Sequence, residues 1–171
     1  MSPFSRRGFL AASAATAASL MLPARDRAQS GRMSLTAATR TIDVRGKAAT
    51  VWGLLDGAGR SGLVLDPDQA FAVDLTNALA EPTIIHWHGQ IPDNAQDGVP
   101  DLPMPMLQPG ESRAYDFAAR PGTHWMHAHI PEHEMMLLAA PLVVRRAEDV
   151  AADRQEVTLS LHDFSFKTPA K

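Results

Sequence analysis

The alternation of apolar and polar positions lays the chain out as a succession of short strands separated by turns. Phe71, Val73 and Leu75 alternate with Ala72, Asp74 and Thr76, the pattern of a strand with one buried face. Partial alternation over residues 34–44 and 49–55, the apolar run Leu63-Val64-Leu65 and the alternation over 111–117 predict further strands. Two more are predicted over 83–89 and after Pro121-Gly122, and the last two over 141–146 and 156–163. Residues 57–62 are rich in glycine, and Asp66-Pro67-Asp68 reads as a turn. Five prolines between 91 and 110 exclude a helix or an inner strand there and predict a long ordered or lid-like loop. Helix is predicted only as one turn over 132–138 and as a polar connector over 147–154. Eight or so short strands, frequent turns and little helix give an all-β expectation, a Greek-key β-sandwich or barrel.

Two of the predicted strands carry histidines at alternate positions. Side chains of a strand point to opposite faces in turn, so His86 and His88 share one face while Ile85 and Trp87 share the other. In the second strand Trp125, His127 and His129 share a face, with Met126 and Ala128 opposite. At a rise of roughly 3.3 Å per residue, ligands two positions apart stand about 7 Å apart. That spacing suits neighbouring ions better than one shared ion. Two such strands side by side bring four imidazoles together, and imidazole suits copper, zinc, iron or nickel without choosing among them.

Composition narrows the reading. Lys and Arg total 16 against 19 Asp and Glu, a net charge of −3, and the first 28 residues hold four of the arginines, so the remainder of the chain is more acidic still. Nothing in this balance points to nucleic acid as a partner. The sequence has no cysteine, which excludes disulfides and thiolate-bound zinc, iron–sulfur or blue-copper sites within it. Arg6-Arg7 before an alanine- and leucine-rich run to Leu22, then Pro23-Ala24-Arg25, reads as a twin-arginine export signal over residues 1–28, implying a periplasmic or secreted protein. The run is too short and alanine-rich for a stable membrane span.

The residues also carry a resemblance. Thr83-Ile84-Ile85-His86-Trp87-His88-Gly89, Asp97-Gly98-Val99-Pro100, Pro109-Gly110-Glu111-Ser112, the run from Pro121 through His127-Ala128-His129, and Leu138-Ala139-Ala140-Pro141-Leu142-Val143-Val144 resemble the first, plastocyanin-like cupredoxin domain of bacterial multicopper oxidases, the laccase-like enzymes. The resemblance implies a cupredoxin-like domain over 29–150. Leu161-His162-Asp163-Phe164-Ser165-Phe166 resembles the opening of a second domain, so 151–171 is expected to be a linker and first strand of a domain that is missing. It further implies that His86 ligates a type 2 copper and that His88, His127 and His129 ligate two type 3 coppers. These are half of an eight-histidine trinuclear centre that reduces dioxygen to water while substrate is oxidised. The other half, with the type 1 copper that takes electrons from substrate, comes in this family from the last domain. No cysteine and no second pair of His-x-His motifs are present, so this chain alone is not expected to turn over as an oxidase. Its expected partners are C-terminal cupredoxin domains or other subunits.

Asp97 matches the family's acidic residue beside the type 2 copper and is expected to relay protons; a turn-forming role before Gly98 accounts for it equally. His124, on the opposite strand face from His127 and His129, is expected to be a hydrogen-bonded or surface histidine, His162 to be structural, and His133 to support the ligands at most and not to be one. Met104, Met106, Met135 and Met136 offer soft donors for Cu(I), or fill gaps as methionine commonly does. Trp87 and Trp125 are expected to pack under the histidine strands. Two other readings stand beside the first: a single-domain periplasmic protein that stores or delivers copper, and a zinc hydrolase holding its ion with three histidines.

Overall fold

Ladder pairing joins eight strands into two four-stranded sheets in the computed structural model, which describes residues 31–167. The first sheet has the order β2-β1-β4-β6, formed by β1 (Met33–Val44), β2 (Lys47–Asp56), β4 (Phe71–Asn77) and β6 (Ser112–Phe117). The second has the order β3-β8-β7-β5, formed by β3 (Leu63–Leu65), β5 (Ile85–His88), β7 (Gly122–Ala128) and β8 (Ala139–Val144). β1 pairs parallel with β4, and β3 with β8; the remaining pairs are antiparallel. Crossovers between non-consecutive strands give the expected cupredoxin-like β-sandwich. Two short helices form, α1 (Pro131–Met135) overlapping the expected helical turn over 132–138 and α2 (Ala147–Ala151) within the expected helix-prone connector over 147–154.

The core forms between the sheets because each strand sends alternate apolar residues inward. β4 contributes Phe71, Val73 and Leu75, all fully buried, and β5 contributes Ile85 and Trp87. Phe71 stacks on Phe117 at 4.4 Å between ring centroids, and Trp87 meets Phe71 and Tyr115 at 4.8 Å each. These aromatic contacts seat β5 from its inner face. The outer face of the second sheet is thereby left to His86 and His88.

The proline-rich stretch between β5 and β6 is an ordered loop with a 3-10 turn at Asn94–Gln96. Thr83 and Leu107 form an isolated bridge, so β5 is shorter than the 83–89 expected. Asn77 is buried and ties the loop ends together, its amide donating to the Glu81 and Leu107 carbonyls while its own carbonyl oxygen accepts from Leu79.

One expected strand does not form. Residues 156–163 have no ladder partner among the described residues, and the chain there is irregular. A β-strand is held by its neighbour, and Val157, Leu159 and Leu161 stand exposed with none. Beyond them Phe164 packs on Ala49, Val51 and Leu137, and Lys47 sits 4.1 Å from the Phe166 ring centroid. Residues from Met33 onward form one compact unit. The expected export signal lies outside the described residues, among which no helix is long and apolar enough to cross a membrane.

Candidate metal centre

The register of one strand pair assembles the site. β5 and β7 run antiparallel with His86 opposite His127, Trp87 opposite Met126 and His88 opposite Trp125. Since Trp87 and Met126 are fully buried, the intervening positions must face outward together. A slip of one residue would bury the imidazoles and expel the tryptophan.

His129 follows the end of β7, where its backbone N–H still donates to the Ile84 carbonyl. The four expected ligands therefore converge. Ring centroids lie 5.7 Å apart for His86 and His88, 5.6 Å for His86 and His127, 5.6 Å for His88 and His127, 5.2 Å for His86 and His129 and 5.9 Å for His127 and His129. The rings of one strand stand closer than the estimate from backbone rise, because they lean toward each other. Donor atoms of His86, His88 and His127 all lie within 4.8 Å of one another, so strand spacing does not by itself exclude one ion shared by three rings. Burial is uneven: His127 is buried, His86 half-buried, and His88 and His129 are exposed.

Backbone carbonyls fix which ring nitrogens face the cluster. His86 Nδ1 lies 2.8 Å from the Asp97 carbonyl oxygen and donates to it, since a carbonyl can only accept. His127 Nδ1 likewise donates to the Ala128 carbonyl at 3.1 Å. Each ring then keeps an unprotonated Nε2, the lone pair a metal needs. The Nε2 of His127 is buried and has no hydrogen-bond partner. A buried nitrogen base left unpaired costs free energy, and a metal ion would satisfy it.

Burial pushes the His127 imidazole below its ordinary value of 6.5, against the pull of the Glu134 carboxylate 3.4 Å from Nδ1 and of the Ala128 carbonyl. The native state holds this ring neutral while the unfolded chain protonates it first. Its contribution to stability is therefore complete above pH 6.5 and is lost as the pH falls below that value.

Asp97 is held against the Nδ1 side of the His86 ring, away from the free Nε2. Its carboxylate lies 3.4 Å from His86 Nδ1, and its carbonyl makes the shorter contact. Gly98 follows with φ of +77° and sits flush against β5, where a Cβ would overlap the Ile85 carbonyl oxygen. Trp125 shares the face of the histidines, as alternation along its strand predicts, and stacks on His127 at 3.9 Å with planes 9° apart, so the expectation that it packs under the strands is not met. Trp87 alone packs beneath.

The remaining histidines stand apart from the four. His124 Nε2 is 3.0 Å from the Arg120 carbonyl. Buried His133 bonds the Thr83 hydroxyl at 3.1 Å and packs edge-on against Trp52. His162 is exposed. Two contributors escaped the sequence reading, Gln96 and Glu134. Gln96 holds the turn that carries Asp97, and Glu134 reaches His127 from α1. Neither sits in a periodic pattern or a metal-ligand spacing.

Imidazoles with free Nε2 atoms and an unpaired buried nitrogen make a donor set that fits copper. Residues 36–149 match the family model described as multicopper oxidase. Copper resistance protein A of Escherichia coli is 31% identical over 157 residues, covering 88% of this chain and 25% of that protein. The Copper resistance protein A homolog of Pseudomonas syringae pv. tomato is 30% identical over 140 residues, covering 80% of this chain and 24% of that protein. The crystal structure of a multi-copper oxidase from Pseudomonas thermotolerans superposes with a TM-score of 0.60 at 32% identity, covering 66% of this chain and 29% of that one. The chain thus spans about a quarter of the length of the curated relatives it matches. With most of the β-sandwich and both histidine strands inside the matched segment, this chain belongs to the multicopper oxidase family.

Proposed function

We propose that His86, His88, His127 and His129 are copper ligands, and that this chain supplies half of the histidines of a trinuclear copper cluster that reduces dioxygen as substrate is oxidised. The observation that carries the reading is the convergence of four rings on one face, with the His86 and His127 tautomers fixed so that Nε2 is free. His86 would serve the type 2 position, and the other three the type 3 pair. Copper, when bound, supplies one-electron chemistry that these side chains lack. The chain's own residues do the rest. The Asp97 carbonyl and the Ala128 carbonyl orient two ligands, burial keeps His127 neutral, and the Asp97 carboxylate is placed to take and give protons beside His86.

Exposure of His88 and His129 supports a site that further cupredoxin domains or subunits complete on its open side. Those parts would bring the type 1 copper, since this sequence has no cysteine to form one. The arrangement proposed is residues 1–28 as a twin-arginine signal, 29–150 as the cupredoxin domain and 151–171 as the way into the next domain, in a protein exported to the periplasm.

Titration of the purified chain with Cu(II), followed by calorimetry and visible absorption, tests this directly. Binding should weaken by at least about tenfold between pH 7.5 and pH 5.5, because protons compete for the imidazoles. No intense blue band should appear. Equal affinity at both pH values would remove the imidazole assignment, and an intense blue product would contradict the division of labour between domains.

A further inference from the structure

The carbonyl that fixes His86 belongs to a turn outside both sheets, and one side chain of that turn ties it to the first sheet. Gln96 pairs its amide with the backbone of Asp116 in β6. The Asp116 N–H donates to Oε1 at 2.6 Å, and Nε2 donates to the Asp116 carbonyl at 3.1 Å. Its own backbone carbonyl accepts from the Trp87 indole N–H at 2.8 Å. The next carbonyl, that of Asp97, accepts from His86 Nδ1 at 2.8 Å. β6 is the edge of the first sheet and β5 the edge of the second. Gln96 thus pairs with the first sheet as a strand would and presents two consecutive carbonyls to the second.

We propose that Gln96 is a positioning residue that sets the His86 tautomer by holding the 94–98 turn against the sheet edges. The inference rests on His86 being a copper ligand, and it adds the device that keeps its Nε2 available. With the amide pair present, Nδ1 keeps its acceptor and the proton stays there. Without it, the turn keeps the Trp87 bond and its internal bonds from Gln96 N–H to the Asp93 carbonyl and from Asp97 N–H to the Asn94 carbonyl, but loses its tie to β6. The Asp97 carbonyl then no longer holds the Nδ1 proton, and a ring protonated on Nε2 offers no lone pair there.

The test uses nitrogen-15 spectra of the metal-free full chain at pH 8, with the His86 signals assigned by their loss in His86→Ala. In the unmodified chain Nδ1 should carry the proton and Nε2 should be bare. In Gln96→Ala and in the similarly sized Gln96→Met, His86 should become a mixture of tautomers, and Cu(II) affinity should fall by about tenfold, as loss of support behind a ligating histidine does elsewhere. A purely structural role would lower the melting temperature and leave the tautomer alone. Retention of the Nδ1 proton and of copper affinity in both variants would overturn the proposal, as would a mixture already present in the unmodified chain. The tautomer is read without metal. Failure of the unmodified chain to bind copper would therefore count against the ligand assignment, while the spectra still decide the role of Gln96.

Discussion

Gly98→Ala is expected to destabilise the fold by about 3 kcal/mol, the scale of a strained backbone position combined with a core clash. Copper binding should weaken with it. Two independent costs add at this position. The residue has φ of +77°, which side chains with a Cβ adopt only under strain. A Cβ would also overlap the Ile85 carbonyl oxygen, with the Ile85 carbonyl carbon at 2.5 Å and the His86 Cα at 3.0 Å. Backbone cannot rotate aside as a flexible side chain can, so the 94–98 turn must lift away from β5. Lifting it separates the Asp97 carbonyl from His86 Nδ1, and the proposed ligand loses its support. Denaturant unfolding measures the first effect and copper titration of the folded variant the second. A loss of less than about 0.5 kcal/mol, the scale of an unstrained surface change, would mean that the turn is not seated as described.

The second expected result separates ligation from folding. His88→Ala should leave stability within about 0.5 kcal/mol of the unmodified chain, because the ring is exposed and its loss opens no cavity. Copper affinity should nevertheless fall by more than about 100-fold, beyond the range seen when a group merely supporting a ligand is removed. His127→Ala should impair both properties. It removes a buried ring stacked on Trp125, along with the unpaired Nε2. Copper binding unchanged in stoichiometry and affinity in His88→Ala would move the site elsewhere in the molecule.

The parts of this centre that were legible in the sequence are those set by strand geometry. Alternation placed Ile85 and Trp87 inside and His86 and His88 outside, and the same rule separated Met126 and Ala128 from His127. The pairing of the two strands was not legible from period alone, since register depends on which inner faces meet; burial of Trp87 opposite Met126 settles it. Distances were only roughly legible, because side chains lean and the rings of His86 and His88 stand 5.7 Å apart.

What depends on contacts between distant segments was less legible. Residues 156–163 have strand composition, and no strand of either sheet pairs with them, in keeping with a partner strand expected from a further domain. For Trp125 two expectations disagreed: alternation put it on the face of His127 and His129, packing put it under the strands, and its position in β7 follows the alternation. Gln96 lay in a loop with no period to mark it. Its importance arises from Asp116, 20 residues later, and such a contact exists only once the sheets have closed.

Diffraction at the copper absorption edge from crystals of the copper-loaded chain tests the central claim most directly. Anomalous peaks should fall among the rings of His86, His88, His127 and His129, on the side of His86 and His127 where Nε2 is free. Peaks confined to the methionines at 104, 106, 135 and 136, or none within bonding distance of the four rings, would contradict the account.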